Sequence, residues 1–215
     1  MFITFEGVEG CGKSTLAAML DQHLQNIGKS TFLLREPGST DVGEKIRAIL
    51  KDKSHVNLTN ECEALLFLAA RAQVVGELIW PYFGLGVVVI ADRFFDSTIA
   101  YQGHASGVDV DDLIAINKFA TKDLTPDITF LIDLDPAIGL ARKANQGEID
   151  RIEEKGIEYQ QKVAEGYKMQ AREHPGRIKV INGEQSIEDI FAEVLKHLEG
   201  RECDGYGALC EAVQP

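Results

Sequence analysis

Gly7-Val8-Glu9-Gly10-Cys11-Gly12-Lys13-Ser14-Thr15 fits G-x-x-x-x-G-K-[ST] at every fixed position. Phe2-Ile3-Thr4-Phe5 before it is short, apolar and β-branched enough for a buried strand, and Leu16-Ala17-Ala18-Met19-Leu20 after it reads as helix. Strand, glycine-rich loop and helix in that order are the context the motif requires. Glycines let the backbone curl until its N–H groups converge on a polyphosphate, and the helix N-terminus adds partial positive charge. Lys13 supplies a mobile cation for the β- and γ-phosphates, and the Ser14 hydroxyl is placed to ligate Mg²⁺. The stretch implies a nucleoside triphosphate site at residues 7 to 15, whether the chain is an enzyme or a nucleotide-dependent switch.

Outward from the loop, strands and helices alternate. Ser30 to Leu34 reads as a strand running into the turn Arg35-Glu36-Pro37-Gly38-Ser39-Thr40. Helices are expected over Val42 to Leu50 and from about Asn60 through Trp80. Gly86-Val87-Val88-Val89-Ile90-Ala91 is the clearest buried strand. It ends in Asp92-Arg93, the pattern of a central parallel strand that delivers a carboxylate to a nucleotide's metal, although an N-cap role for Asp92 fits too. Helices are expected at Thr98–Gln102 and Val110–Phe119, and a strand at Asp127–Asp133. Helices follow at Ala137–Ala144 and Ile152–Arg172, then a strand at Ile178–Ile181 and a helix at Ile187–Leu198. The expected fold is α/β, a five-stranded parallel sheet flanked by helices, in one domain over residues 1–200. Residues 142–151, polar and without an apolar stripe, read as a mobile, charged segment, and 201–215 as an appended tail that lacks periodicity.

Composition narrows the partners. Lys+Arg 22 against Asp+Glu 34 gives a net charge of −12, which argues against a nucleic-acid surface or an anionic membrane, so any bound anion is caught locally. Cys11, Cys62, Cys203 and Cys210 are scattered, with no zinc spacing and no disulfide framework. Met1 leads into the first strand without a leader, so the cytoplasm is the expected compartment. A guanine-reading Asn-Lys-x-Asp is missing, because Asn117-Lys118 is followed by Phe119-Ala120. A kinase needs a second anion site, and Arg35, Arg71 and Arg93 stand on the ligand side, Arg93 foremost; each is able to fork onto a phosphate. Phe67 shares a helix face with Arg71 and fits either the core or a site.

The ordered set F-E-G-V-E-G-C-G-K-S-T at 5–15, R-E-P-G-S-T at 35–40, L-F-L-A-A-R-A at 66–72, D-R-F-F-D-S-T-I-A-Y-Q-G at 92–103 and G-E-I-D-R-I-E at 147–153 resembles the bacterial thymidylate kinases. The resemblance implies a P-loop NTPase fold and transfer of the ATP γ-phosphoryl group to dTMP with Mg²⁺, in a homodimer. It implies that Gly7, Val8, Glu9, Gly10, Cys11, Gly12, Lys13, Ser14 and Thr15 hold ATP, with Ser14 and Asp92 at the metal. Glu9 would contact the acceptor's 3′-hydroxyl, Glu36 and Pro37 the sugar side, and Phe67 would stack on the base. Arg71 would reach base and phosphate, Arg93 the acceptor phosphate, Thr98 and Gln102 the pyrimidine edge, and Tyr101 the C2′ position.

Since Val8, Glu9, Gly10 and Cys11 leave no arginine inside the phosphate loop, the resemblance points to the lid-arginine form. Lys13, Glu9 and Arg93 would then be joined in catalysis by Arg142, which would also touch ATP, and by Arg151, with Lys143 as a further lid cation. Ser39 stands where Gly is usual, Phe94 where Tyr or His is usual, and Ala144, Asn145 and Gln146 where further arginines are common. These departures keep a kinase for another small acceptor in play.

Overall fold

A computed structural model of the chain describes residues 1–145 and 150–199. The centre of the expected lid, 146–149, and the 201–215 tail lie outside the described residues. Strands β1 (Phe2–Glu6), β2 (Thr31–Arg35), β3 (Val88–Asp92), β4 (Ile128–Asp133) and β5 (Ile178–Asn182) form one sheet. Its order is β2-β3-β1-β4-β5, and every pairing is parallel. The intervening helices are α1 (Lys13–Asn26), α2 (Asp41–Lys51), α3 (Asn60–Val74), α4 (Trp80–Gly84), α5 (Phe95–Thr98), α6 (Val110–Thr121), α7 (Pro136–Ala144), α8 (Gly156–Glu173) and α9 (Ile187–Leu198).

The sheet is covered on both faces, and β3 shows why its sequence is a continuous apolar run. Val88 and Ile90 join the core made with Leu16, Leu20, Val163 and Ile190, whereas Val89 and Ala91 join the core made with Val74, Ile79 and Phe83. Neither side of the strand meets water, so no polar alternation survives. β1 lies at the centre, and the chain leaves it toward one edge and later fills the other, which opens a crevice at the carboxyl ends of the strands. The register sets Asp92 beside Phe5 on one side and Arg35 on the other, so β3 delivers its acid next to the phosphate loop.

Three elements differ from expectation, one of them the helix expected from Ile152, which is a 3₁₀ turn at Glu153–Lys155 followed by α8. The helix expected from Asn60 through Trp80 is α3, a π-helical turn at Val75–Ile79, and α4. The stretch after Asp92 is the single turn α5 followed by a π-helical segment, Ile99–Ala105. A π turn differs from an α turn by one residue in its hydrogen bonding, which hydrophobic periodicity does not register. Within α5, Asp96 is buried and held by both terminal nitrogens of Arg177 at 2.6 and 2.7 Å.

Candidate active site

The phosphate loop joins β1 to α1, whose cap, Gly12, has φ 96°. Lys13 is buried at the first helical position, with Nζ donating to the Val8 carbonyl at 3.2 Å. The loop rests on α7: a Cβ on Gly139 would stand 2.1 Å from the Glu9 carbonyl oxygen, and one on Gly10 would stand 2.2 Å from the Gly139 carbonyl. Only hydrogen fits at either α-carbon. Gly139 was not singled out by any sequence signal, since its partner is 130 residues away.

Ser14 Oγ donates to Asp92 Oδ2, and Asp92 Oδ1 is buried with no hydrogen-bond partner. A carboxylate oxygen left bare beside a hydroxyl at the mouth of a phosphate loop fits Mg²⁺, which takes one or two protein oxygens and fills its octahedron with phosphate and water. No cluster of three or more His, Cys, Asp or Glu suited to a metal exists among the described residues, and Mg²⁺ held in this way needs none.

One cleft is lined by Glu9, Lys13 and Ser14 from the loop and by Glu36, Pro37, Phe67, Asp92, Arg93, Thr98, Tyr101 and Gln102. Phe67 is half-buried and lines this cleft, outside the two cores that sandwich the sheet. Arg93 has φ 76°, a conformation rare for a side chain of its size and found where function holds it. Its Nη1 donates to the Gly7 carbonyl, Ser97 Oγ and Tyr167 OH at 3.0–3.1 Å, and its Nη2 to Glu9 Oε1 at 2.5 Å and Tyr101 OH at 3.1 Å. The guanidinium is thereby fixed between loop and cleft. Burial alone would raise the Glu9 carboxyl, but Arg93 and Lys13 hold it well below the usual range. Burial pushes Glu36 up, with Arg71 offsetting part of the rise.

Arg71 is brought to the cleft floor and does not line it. Its guanidinium is buried and donates to Glu36 Oε2 (2.7 Å), Thr98 Oγ1 (2.7 Å), Asn117 Oδ1 (2.8 Å) and the Phe94 carbonyl (3.0 Å). Four of its five N–H donors are engaged by these bonds. Arg142 reaches the loop, Nη1 donating to the Gly10 carbonyl at 3.3 Å. Arg151 is turned elsewhere, to the Leu50 carbonyl (2.9 Å) and Glu63 (2.7 Å). Lys143 lines the cleft and pairs with Glu153 at 3.3 Å. Arg35 also lines it, exposed and paired with Glu44 at 2.9 Å. Phe94, which stands where the resemblance has Tyr or His, packs edge-on against Phe2 in the core at 4.8 Å, so the difference takes no polar group from the cleft.

Sequence reasoning passed over several residues. Arg47 and Lys51, on α2, line the cleft and add cations to it, so that its basic side chains offset the acids Glu9, Glu36, Asp92, Asp150 and Glu153 that share the lining. The i, i+4 spacing of the two on one helix was the available signal. Glu6, at the end of β1, is fully buried and accepts from the Phe94 N–H (2.7 Å), Ser97 Oγ (2.6 Å) and Tyr167 OH (2.8 Å). Burial, with Asp96 adding to it, pushes its carboxyl up to about 7.

The thymidylate kinase family model matches residues 5–194. The chain is 46% identical to the thymidylate kinase of Carboxydothermus hydrogenoformans, covering 93% of this chain and 97% of that one. It is 40% identical to the thymidylate kinase of Clostridium novyi, over 92% and 98% of the two chains. The crystal structure of thymidylate kinase from Ehrlichia chaffeensis superposes with a TM-score of 0.77 at 34% identity, covering 93% of this chain and 98% of the other.

Proposed function

The chain belongs to the thymidylate kinase family, and from that premise we infer how its cleft phosphorylates dTMP to dTDP with ATP as donor. The observation that carries the reading is the position of Arg93, which lines the same cleft as Lys13 and is tied to the phosphate loop through Glu9. Donor and acceptor phosphates repel each other, so the protein's task is to hold them in line and spread the charge of the transferring group. Gly7 to Thr15 cradle the donor phosphates, and Lys13 neutralises the β- and γ-oxygens. Ser14 and Asp92 hold Mg²⁺, which supplies the further neutralisation that phosphoryl transfer requires.

On the acceptor side, Arg93 holds the dTMP phosphate, and Glu9 fixes Arg93 while accepting from the sugar 3′-hydroxyl. Phe67 stacks on the base, Thr98 and Gln102 meet its edge, and Tyr101 lies against C2′. Glu36 Oε1, buried and without a partner, supports a polar contact on the sugar side beside Pro37. Arg71 stiffens this floor and has one N–H left for the base or phosphate. Arg142 neutralises the transferring group, and its bond to the Gly10 carbonyl supports that choice over Arg151. The acceptor is already an ionised phosphate, so no strong general base is required.

We place the enzyme in the cytoplasm as a homodimer acting on free nucleotides. No described helix is long and apolar enough to cross a membrane. Leu65 on α3 and Phe119 on α6 are exposed apolar groups on neighbouring helices, which supports a second copy as their cover. Sedimentation at micromolar concentration checks the dimer. ADP release with ATP and Mg²⁺ checks the activity, comparing dTMP, dUMP, UMP, dCMP and AMP as acceptors. Selective turnover of dTMP is expected; equal rates on dTMP and UMP would remove the role given to Tyr101, and turnover of AMP alone would overturn the pocket.

A further inference from the structure

A glutamine amide has a donor end and an acceptor end, and at a base-reading position the end that faces the ligand decides which base fits. Gln102 lines the inner cleft and is almost wholly buried. Its Nε2 donates to Glu63 Oε1 at 2.9 Å. Glu63, on α3, is equally buried, and Arg151 Nη2 reaches its Oε2 at 2.7 Å, while Lys155 Nζ stands 3.1 and 3.2 Å from the two oxygens. Burial alone would raise this carboxyl, but Lys155, Gln102 and Arg151 together hold it below the ordinary range, so it stays ionised. An ionised carboxylate only accepts, so the amide NH₂ of Gln102 must turn toward it. The Gln102 carbonyl oxygen is what remains for the cleft.

We propose that Glu63 is a positioning residue for base specificity: by capturing the Gln102 NH₂ it aims the Gln102 carbonyl oxygen at the base and admits pyrimidines with an N3–H donor, thymine or uracil. Cytosine carries an unprotonated N3 and sets acceptor against acceptor. A site built to bond a substrate N–H rejects an analogue lacking it by ~10⁴ or more. The inference rests on the assignment of Gln102 to the base edge.

The test measures kcat/KM for dTMP and dCMP in the intact enzyme and its variants. In Glu63→Gln the new amide keeps its oxygen on Arg151 and Lys155 and presents NH₂ to Gln102, which then turns its carbonyl away from the cleft. The dTMP:dCMP ratio is expected to fall at least ~10-fold, through a raised KM for dTMP and a gain on dCMP, a reciprocal change that a loosened fold does not produce. If Glu63→Gln does not fold, Glu63→Asp keeps the charge for the two cations, draws back from Gln102, and is expected to lower the same ratio. An unchanged ratio in the folded Glu63 variant, with a lowered ratio in Gln102→Ala, overturns the proposal. An unchanged ratio in Gln102→Ala overturns instead the assignment of Gln102 on which it rests.

Discussion

Glu9 Oε1 lies 2.5 Å from Arg93 Nη2, and the other oxygen of the same carboxylate lies 3.7 Å from Lys13 Nζ. One acidic side chain in the phosphate loop thus sits between Lys13 and Arg93, the cations we assign to donor and acceptor. Replacing Arg93 with Ala removes the proposed acceptor clamp and leaves Glu9 with Lys13 and a 3.4 Å hydrogen bond from Tyr101 OH. A fall in kcat of ~10³-fold is expected, of the size seen when a preorganised charge facing the transition state is lost. Arg93→Lys restores a point charge without the fork and recovers only part. Single-turnover rates, with circular dichroism to verify the fold, check this.

Gly139 on α7 is a packing glycine for the loop. Gly139→Ala forces a Cβ onto the Glu9 carbonyl, a backbone atom that is not free to swing aside. The variant is expected to be ~1–3 kcal/mol less stable by urea unfolding, the usual cost of overpacking, and to bind ATP at least ~10-fold more weakly. Normal ATP affinity in the variant would show that α7 and the loop are able to separate.

Asp92→Asn keeps the shape of the Ser14 contact and removes the charge from the bare Oδ1. The Mg²⁺ concentration for half-maximal turnover is expected to rise ~10-fold or more, and chelation to abolish transfer in both proteins. A magnesium titration at saturating ATP gives the answer. An unchanged magnesium requirement assigns Asp92 to capping instead.

Glu6 makes stability depend on pH. Its carboxyl titrates near 7 in the fold against 4.5 for the free group. Between those values the folded chain keeps a proton that the unfolded chain has shed, so ΔG of unfolding falls as pH rises. The contribution is complete below pH 4.5 and lost above pH 7, about 3 kcal/mol at 1.36 kcal/mol per pKa unit. Glu6→Gln does not titrate, so the gap between wild type and variant should move against wild type by that amount between pH 4.5 and 8. Parallel curves from urea unfolding would mean that Glu6 is ionised at its ordinary pKa.

Arg142 and Arg151 should separate kinetically. Arg142 touches the phosphate loop at Gly10, whereas Arg151 is spent on Leu50 and Glu63. Arg142→Ala is expected to lower kcat by ~10²-fold or more with little change in KM for dTMP. Arg151→Met is expected to act chiefly on KM for dTMP, through the anchoring of Glu63. The reverse pattern would return the transition-state role to Arg151.

Local sequence alone specifies the phosphate loop, the parallel sheet around it and the end of β3 at Asp92. Each is written in local spacing: glycines that permit a tight curl, an apolar run buried on both faces, and helical periodicity from Ile187 to Leu198 that recurs unchanged in the structure. Direction and partnership came only with the tertiary structure. Phe67 and Arg71 share a helix face four residues apart, yet one lines the cleft and the other is buried beneath it by Glu36 and Asn117. Phe94 follows Arg93 directly and points into the core because the backbone turns through a positive φ at Arg93. Gly139 and Glu63 carry no local mark, because what each does is fixed by atoms distant in sequence: the Glu9 carbonyl for one, Gln102, Arg151 and Lys155 for the other. Spacing along a chain encodes which face a residue occupies, but the partner waiting on that face is set by how the sheet order folds remote segments together.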